Sequence, residues 1–140
     1  MPMPVPDRTD DRNAEVVRRY LRTFATGDLD ELRAVVAEEV EIYGAGQFVR
    51  GRHIVETALR TPGLTVVDQR IVELFPAADR VTVAGTNTYR QDSTGKTAVQ
   101  SFCKMYQVAD AKIVRFWGEQ DLFGLVTGLG MLPGTKLDFS

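Results

Sequence analysis

The sequence predicts an α+β fold: a curved antiparallel sheet packed against three N-terminal helices, cone-shaped, with an internal pocket. Two observations predict it. Apolar residues recur at helical spacing through the first 60 residues and at strand spacing over 64–120. Short turns carrying Gly, Asp and Ser divide the strand-like stretch, as hairpins require. Helices grouped ahead of a meander cover one face of the sheet, and the space between is a natural small-molecule pocket.

Taken in order, residues 1–12, "MPMPVPDRTDDR", read as a flexible Pro-rich lead without the apolar core of a signal peptide. Residues 13–140 form a single domain. The first helix starts at Asn13, a suitable N-cap, with Val16, Val17, Tyr20, Leu21 and Phe24 on one face, and stops at Gly27. The second, "LDELRAVVAEEV", has Asp28 or Asp30 near its start, and "VEIYGAG" then becomes extended. A third short helix, "RHIVETALR", ends before Pro62-Gly63. Four strands follow: "LTVVDQRIVELF" up to Pro76, "DRVTVAGTNTYR", "TAVQSFCKMYQV" and "KIVRFWGEQ". The tail from Leu122, broken by Gly124, Gly128, Gly130 and Gly134, docks as an interrupted helix.

Composition narrows the function. With 44% hydrophobic and 26% charged residues the chain is an ordinary globular one. A net charge of −2 makes no electrostatic case for nucleic acid. No apolar run approaches the length that spans a membrane. The lone Cys103 excludes an intrachain disulfide and fits a cytoplasmic location. It has no His partner in view, and a single His53 without a Cys cluster indicates no metal site. No phosphate-binding or nucleotide fingerprint is present, so no cofactor is expected.

The phrases "VVRRYLRTFATGDLDELRAVVAEEVEI", "GRHIV" and "MYQVADAKIVRFW" followed by "DLFGL" resemble the SnoaL-like polyketide cyclases of the nuclear transport factor 2-like superfamily, relatives of ketosteroid isomerases and limonene epoxide hydrolases. The resemblance covers residues 13 to 130 and implies the fold far more sharply than the reaction. It implies that Tyr20, in "VRRY", donates a hydrogen bond to a developing oxyanion, as in the isomerases. Their general-base position falls at Gly44, and Lys104 stands where they carry an Asp and the cyclases a His. The acid that cyclases and epoxide hydrolases place on the last strand falls at Gly118, and the Arg–Asp pair of the hydrolases falls at Gly85 and Asn87. Three familiar catalytic sets are thus incomplete.

Strand alternation then sorts the remaining side chains. If Lys104 and Gly118 face the funnel, so do Gln100, Phe102, Tyr106, Val114 and Phe116. The other face carries Val99, Ser101, Cys103, Met105, Ile113, Arg115 and Trp117. That face is too apolar for water, and the resemblance implies a homodimer through it. An ammonium in an apolar funnel is costly unless paired, so Lys104 either stabilises an enolate or alkoxide or reaches out to water or a carboxylate. Tyr20 either donates to a substrate oxygen or packs in the core. Asn87 and Gln100 orient a carbonyl, Phe102, Tyr106 and Phe116 form walls, and Tyr43 and Trp117 line the mouth. Glu119 and Asp121 are the carboxylates nearest the missing acid; Asp121 is equally suited to cap the segment after it.

The expected function is a cofactor-independent enzyme for a hydrophobic, oxygenated, polyketide- or terpenoid-like substrate, in secondary metabolism such as antibiotic biosynthesis. It would catalyse cyclisation, isomerisation, dehydration or epoxide opening. The alternative is a non-catalytic ligand-binding or partner subunit that has lost its acids.

Overall fold

The structure, a computed structural model, describes residues 8–44 and 46–131. The elements run α1 (Arg8–Thr26), α2 (Leu29–Val35), β1 (Val36–Gly44), β2 (Gln47–Arg50), α3 (Arg52–Leu59), β3 (Leu64–Ala77), β4 (Arg80–Gln91), β5 (Thr97–Ala109), β6 (Lys112–Gln120) and α4 (Leu122–Gly128). The six strands make one sheet in the order β2-β1-β6-β5-β4-β3. It is mixed rather than purely antiparallel, because β1 runs parallel to β6. The remaining pairs are antiparallel, and α1 lies across β3 to β6.

α1 begins at Arg8, so Asn13 is not its cap. Asn13 sits one turn inside the helix, and its amide donates to the Ala78 carbonyl at 3.2 Å, tying α1 to the β3–β4 turn. Gly27, at φ 71°, ends the helix as predicted. α2 is capped by Asp28, whose carboxylate accepts from the Glu31 amide at 3.0 Å. It stops at Val35, five residues before the end of the predicted run. From Val36 the β-branched residues continue as β1, and Val36 and Val40 are fully buried. Pro76 lies within β3 rather than ending it. β3 is an edge strand, where the missing N–H of proline interrupts no ladder.

The alternation predicted for β5 holds: Gln100, Phe102 and Tyr106 are buried, while Val99, Ser101, Cys103 and Met105 are exposed. On β6 it holds only beyond Val114. The register passes from Val108–Ile113 to Gln107–Arg115, so Val114 is an extra residue without a partner. Ile113 is therefore fully buried, contrary to expectation. Phe116 and Gly118 face the helices as predicted, and Arg115 and Trp117 face away.

One core fills the space between sheet and helices, with Tyr20, Leu32, Val35, Tyr106, Ile113, Val81 and Val83 fully or almost fully buried. On the opposite face a row of cross-strand partners runs Phe75, Thr82, Met105, Trp117, Tyr43, Phe48 from edge to edge of the sheet. Trp117 is 54% exposed and Phe48 50%. Beside this row, Glu41 accepts hydrogen bonds from Arg50 at 3.0 Å and from Arg115 at 2.9 Å.

Candidate functional site

The inner faces of α1, α3, β3–β6 and α4 enclose a cavity of about 590 Å³. Its walls are mostly apolar, with Leu21, Phe24, Val55, Leu59, Phe102 and Leu125 among them. Polar groups reach it from both layers, among them Tyr20 from α1, Gln69 from β3, Asn87 and Tyr89 from β4, and Gln100, Lys104 and Tyr106 from β5. A smaller cavity of about 320 Å³ opens near the β1–β2 hairpin and is lined by Tyr43, Gly44, Gln47, Gly118 and Glu119. Gln100, Lys104, Phe116 and Gln120 belong to both. Lys104 stands in the partition between them.

The β sheet explains this convergence. Asn87 pairs with Gln100 across β4 and β5, and Gln69 pairs with Asn87 across β3 and β4, so three amides form one lateral row. The Gln69 amide donates to Asn87 Oδ1 and to the Leu21 carbonyl, both at 3.1 Å, which locks the row to α1. The Asn87 side chain also holds the Tyr89 hydroxyl, partly offsetting the upward pull of burial on that group. Two residues along β5, on the same inward face, lie Phe102 and then Lys104 and Tyr106.

Lys104 is half-buried, and its surroundings pull the ammonium down from 10.5 to about 8 through desolvation alone. No carboxylate pairs with it among the described residues. Its ammonium lies over the Phe116 ring, whose centroid is 5.7 Å from Nζ. The stem runs along Gly118: a Cβ there would meet Lys104 Cγ at 2.5 Å, Cδ at 2.9 Å and Cε at 3.0 Å. Gly44 and Gly85 are equally closed to a side chain. A Cβ at Gly44 would meet the Gly118 carbonyl oxygen at 2.6 Å, and one at Gly85 would meet Phe102 Cζ at 2.9 Å. At these three glycines the space that any side chain would need is occupied by backbone, a ring and the lysine stem.

Tyr20 is 1% exposed and its hydroxyl is pushed up, first by burial and then by Tyr89 nearby. It remains a neutral donor at any ordinary pH. Tyr106 is fully buried and pushed up in the same way, and its hydroxyl has no hydrogen-bond partner among the described residues. The rings of Tyr20, Tyr106 and Phe116 meet at centroid distances of 5.5, 5.6 and 6.1 Å, forming an aromatic floor.

The structure thus brings Tyr20, Asn87, Gln100, Phe102, Lys104, Tyr106 and Phe116 together at the larger cavity. Tyr43 and Glu119 line only the smaller one, and among the described residues no Asp or Glu lines the larger. Trp117 is not a pocket residue: it stacks on Tyr43 at 5.2 Å and 12° on the far face of the sheet. Asp121 is not one either. Its carboxylate accepts from the Gly124 amide at 2.8 Å as the N-cap of α4, because strand β6 has already ended. Gln69, Tyr89 and Gln120 are additional lining residues that sequence reasoning missed. The alternation "T-N-T-Y" that places Asn87 inward also places Tyr89 there, so Tyr89 was within reach of the same argument.

Comparison with known proteins agrees with this geometry. A protein from Jannaschia sp. CCS1, proposed to be a SnoaL-like polyketide cyclase, superposes with a TM-score of 0.74 at 18% identity over 94% of this chain and 100% of its own. IdmH of Streptomyces antibioticus, proposed to be a polyketide cyclase, gives 0.73 at 18% identity over 84% and 98%. An LEH-like epoxide hydrolase of M. tuberculosis gives 0.72 at 17% identity over 86% and 91%. At such identities the likeness is one of fold. No curated protein matches the chain in sequence. No helix among the described residues is long and apolar enough to cross a membrane. The SnoaL-like domain matches residues 17–116, most of the region the structure describes, and the chain belongs to the SnoaL-like domain family of the nuclear transport factor 2-like superfamily.

Proposed function

We propose that the protein is a cofactor-independent enzyme of secondary metabolism, acting in the cytoplasm on a hydrophobic, oxygenated substrate of polyketide or terpenoid type. The reaction is proton-transfer chemistry: cyclisation, isomerisation, dehydration or epoxide opening. One observation carries the reading. A mostly apolar cavity of about 590 Å³ is lined by the hydroxyls and amides of Tyr20, Gln69, Asn87, Tyr89, Gln100 and Tyr106 and by Lys104, a cation with no carboxylate partner among the described residues. Lys104 and the neutral hydroxyls of Tyr20 and Tyr106 polarise a substrate oxygen, and Gln100 and Asn87 orient it. The proposed activities of the structural relatives are of this class.

A panel of terpenoid and polyketide-like ketones, epoxides and enols tests the reading by ligand-observed NMR and product analysis. Tyr20→Phe and Lys104→Met are each expected to lower kcat/KM by about 10- to 1000-fold. Activity that survives both substitutions would remove these residues from the chemistry. The absence of Asp and Glu from the described lining of the larger cavity favours a second reading, a binding protein without turnover. Ligands that bind and emerge unchanged would establish it. A second copy of the chain is proposed to cover the apolar row from Phe75 to Phe48, since an exposed strip of that length is unusual on a monomer.

A further inference from the structure

Three features of Lys104 are unexplained by charge stabilisation alone. It has no carboxylate partner among the described residues, although a cation placed to bind oxyanions gains from being held by one. Its stem is laid along Gly118, and the residue lines both cavities. Two residues along β5, Tyr106 lines the same cavity, and its buried hydroxyl has no hydrogen-bond partner among the described residues. A desolvated, unpaired amine next to an unsatisfied hydroxyl is the arrangement of a nucleophile and its proton donor.

We propose that Lys104 forms an imine with the carbonyl group of an aldehyde or ketone bound in the larger cavity. The inference rests on the cavity being a site for hydrophobic oxygenated molecules, and it narrows that class to carbonyl compounds. The neutral amine attacks the carbonyl carbon, forming the C–N bond and, after proton transfer, a carbinolamine. The Tyr106 hydroxyl donates a proton to the departing oxygen, which leaves as water, and the C=N bond forms. Tyr106 regains its proton from solvent, so the balance is amine, carbonyl and one proton giving a protonated imine and water. That cation draws electrons from the neighbouring carbon more strongly than a polarised carbonyl does. Tautomerisation or C–C bond formation then needs only a weak base, which suits a cavity whose described lining holds no carboxylate. An amine at about 8 is neutral in roughly one molecule in ten at pH 7, against roughly one in three thousand for an ordinary lysine.

The full chain is incubated at pH 7 with 2-naphthaldehyde and sodium cyanoborohydride, and reductive adducts are located by peptide mass spectrometry. The exposed residues Lys96 and Lys112 serve as internal controls. Lys104 is expected to be labelled at least about ten-fold faster than either, with Tyr106→Phe slowing it and Lys104→Arg, which keeps the charge, abolishing it. Binding of 2-naphthylmethanol, which fits the same space but cannot form an imine, is measured in parallel by NMR. Alcohol binding without an adduct at Lys104 would overturn the imine and leave the cavity reading intact. Neither binding nor adduct would overturn both, and so would labelling at Lys96 and Lys112 alone with no alcohol bound.

Discussion

Replacing Lys104 by Met is expected to stabilise the protein, and by an amount that depends on pH. Met matches the stem in length and removes the ammonium from its desolvated position. The unfolded chain carries an ordinary lysine at 10.5 while the folded one holds it at about 8. At about 1.4 kcal/mol per unit, keeping the group charged in the folded state costs roughly 3 kcal/mol at pH 7. Contact with the Phe116 ring returns roughly 0.5–1 kcal/mol, leaving a net gain for Met of roughly 2–3 kcal/mol. The sign follows from proton counting. Between about 8 and 10.5 the unfolded chain binds more protons, so the wild-type protein becomes more stable as pH rises through that window. The advantage of Lys104→Met should therefore shrink by roughly half between pH 7 and 9.5. Tyr20, Tyr89 and Tyr106 are all pushed up, so they act in the opposite direction at higher pH, where the unfolded tyrosines ionise first. Being present in both proteins, they cancel in the difference. Urea denaturation followed by circular dichroism at fixed protein concentration, at pH 7, 8, 9 and 9.5, measures it. A Lys104→Met protein less stable than wild type at pH 7, or a difference that does not change with pH, would refute the reasoning.

Gly118→Ala should destabilise by about 1–3 kcal/mol, because the added Cβ overlaps the Lys104 stem, and most of that loss should vanish in a Lys104→Ala background. A double-mutant cycle by chemical denaturation reads the coupling, and strictly additive effects would contradict the packing. Trp117→Glu, at a residue 54% exposed, should keep the circular dichroism spectrum and convert a dimer to a monomer in sedimentation equilibrium. An unchanged mass would show that the apolar row is not where copies meet.

How much was readable from the sequence depended on how local the determinants are. The strand "KIVRFWGEQ" and the turn after it were legible because β-branched and aromatic residues alternate up to a Gly and an Asp. The inward set on β5 followed from parity alone once one residue was anchored. What escaped notice required contacts between distant segments. The parallel pairing of β1 with β6 joins residues about 75 positions apart and leaves no trace in either segment. The end of α2 at Val35 was hidden because "AVVAEEV" satisfies helical and strand patterns alike, and burial of Val36 against Ile113 decides between them. Lys104 was found by position, but its isolation from every described carboxylate is a property of the folded sheet. So is the crowding that explains why Gly44, Gly85 and Gly118 are glycines.

The extra residue at Val114 makes the length of β6 as informative as its composition. Loss of that one codon would remove the bulge and leave plain alternation from Ile113 onward, with Phe116 and Gly118 still facing the helices and Arg115 and Trp117 still facing away. In a survey of single-residue deletions, Val114 should be the best-tolerated position of β6, because the ladder on either side of it is already in register. The exposed β4–β5 turn around Thr94 and Gly95, where register is set afresh, should be among the most forgiving.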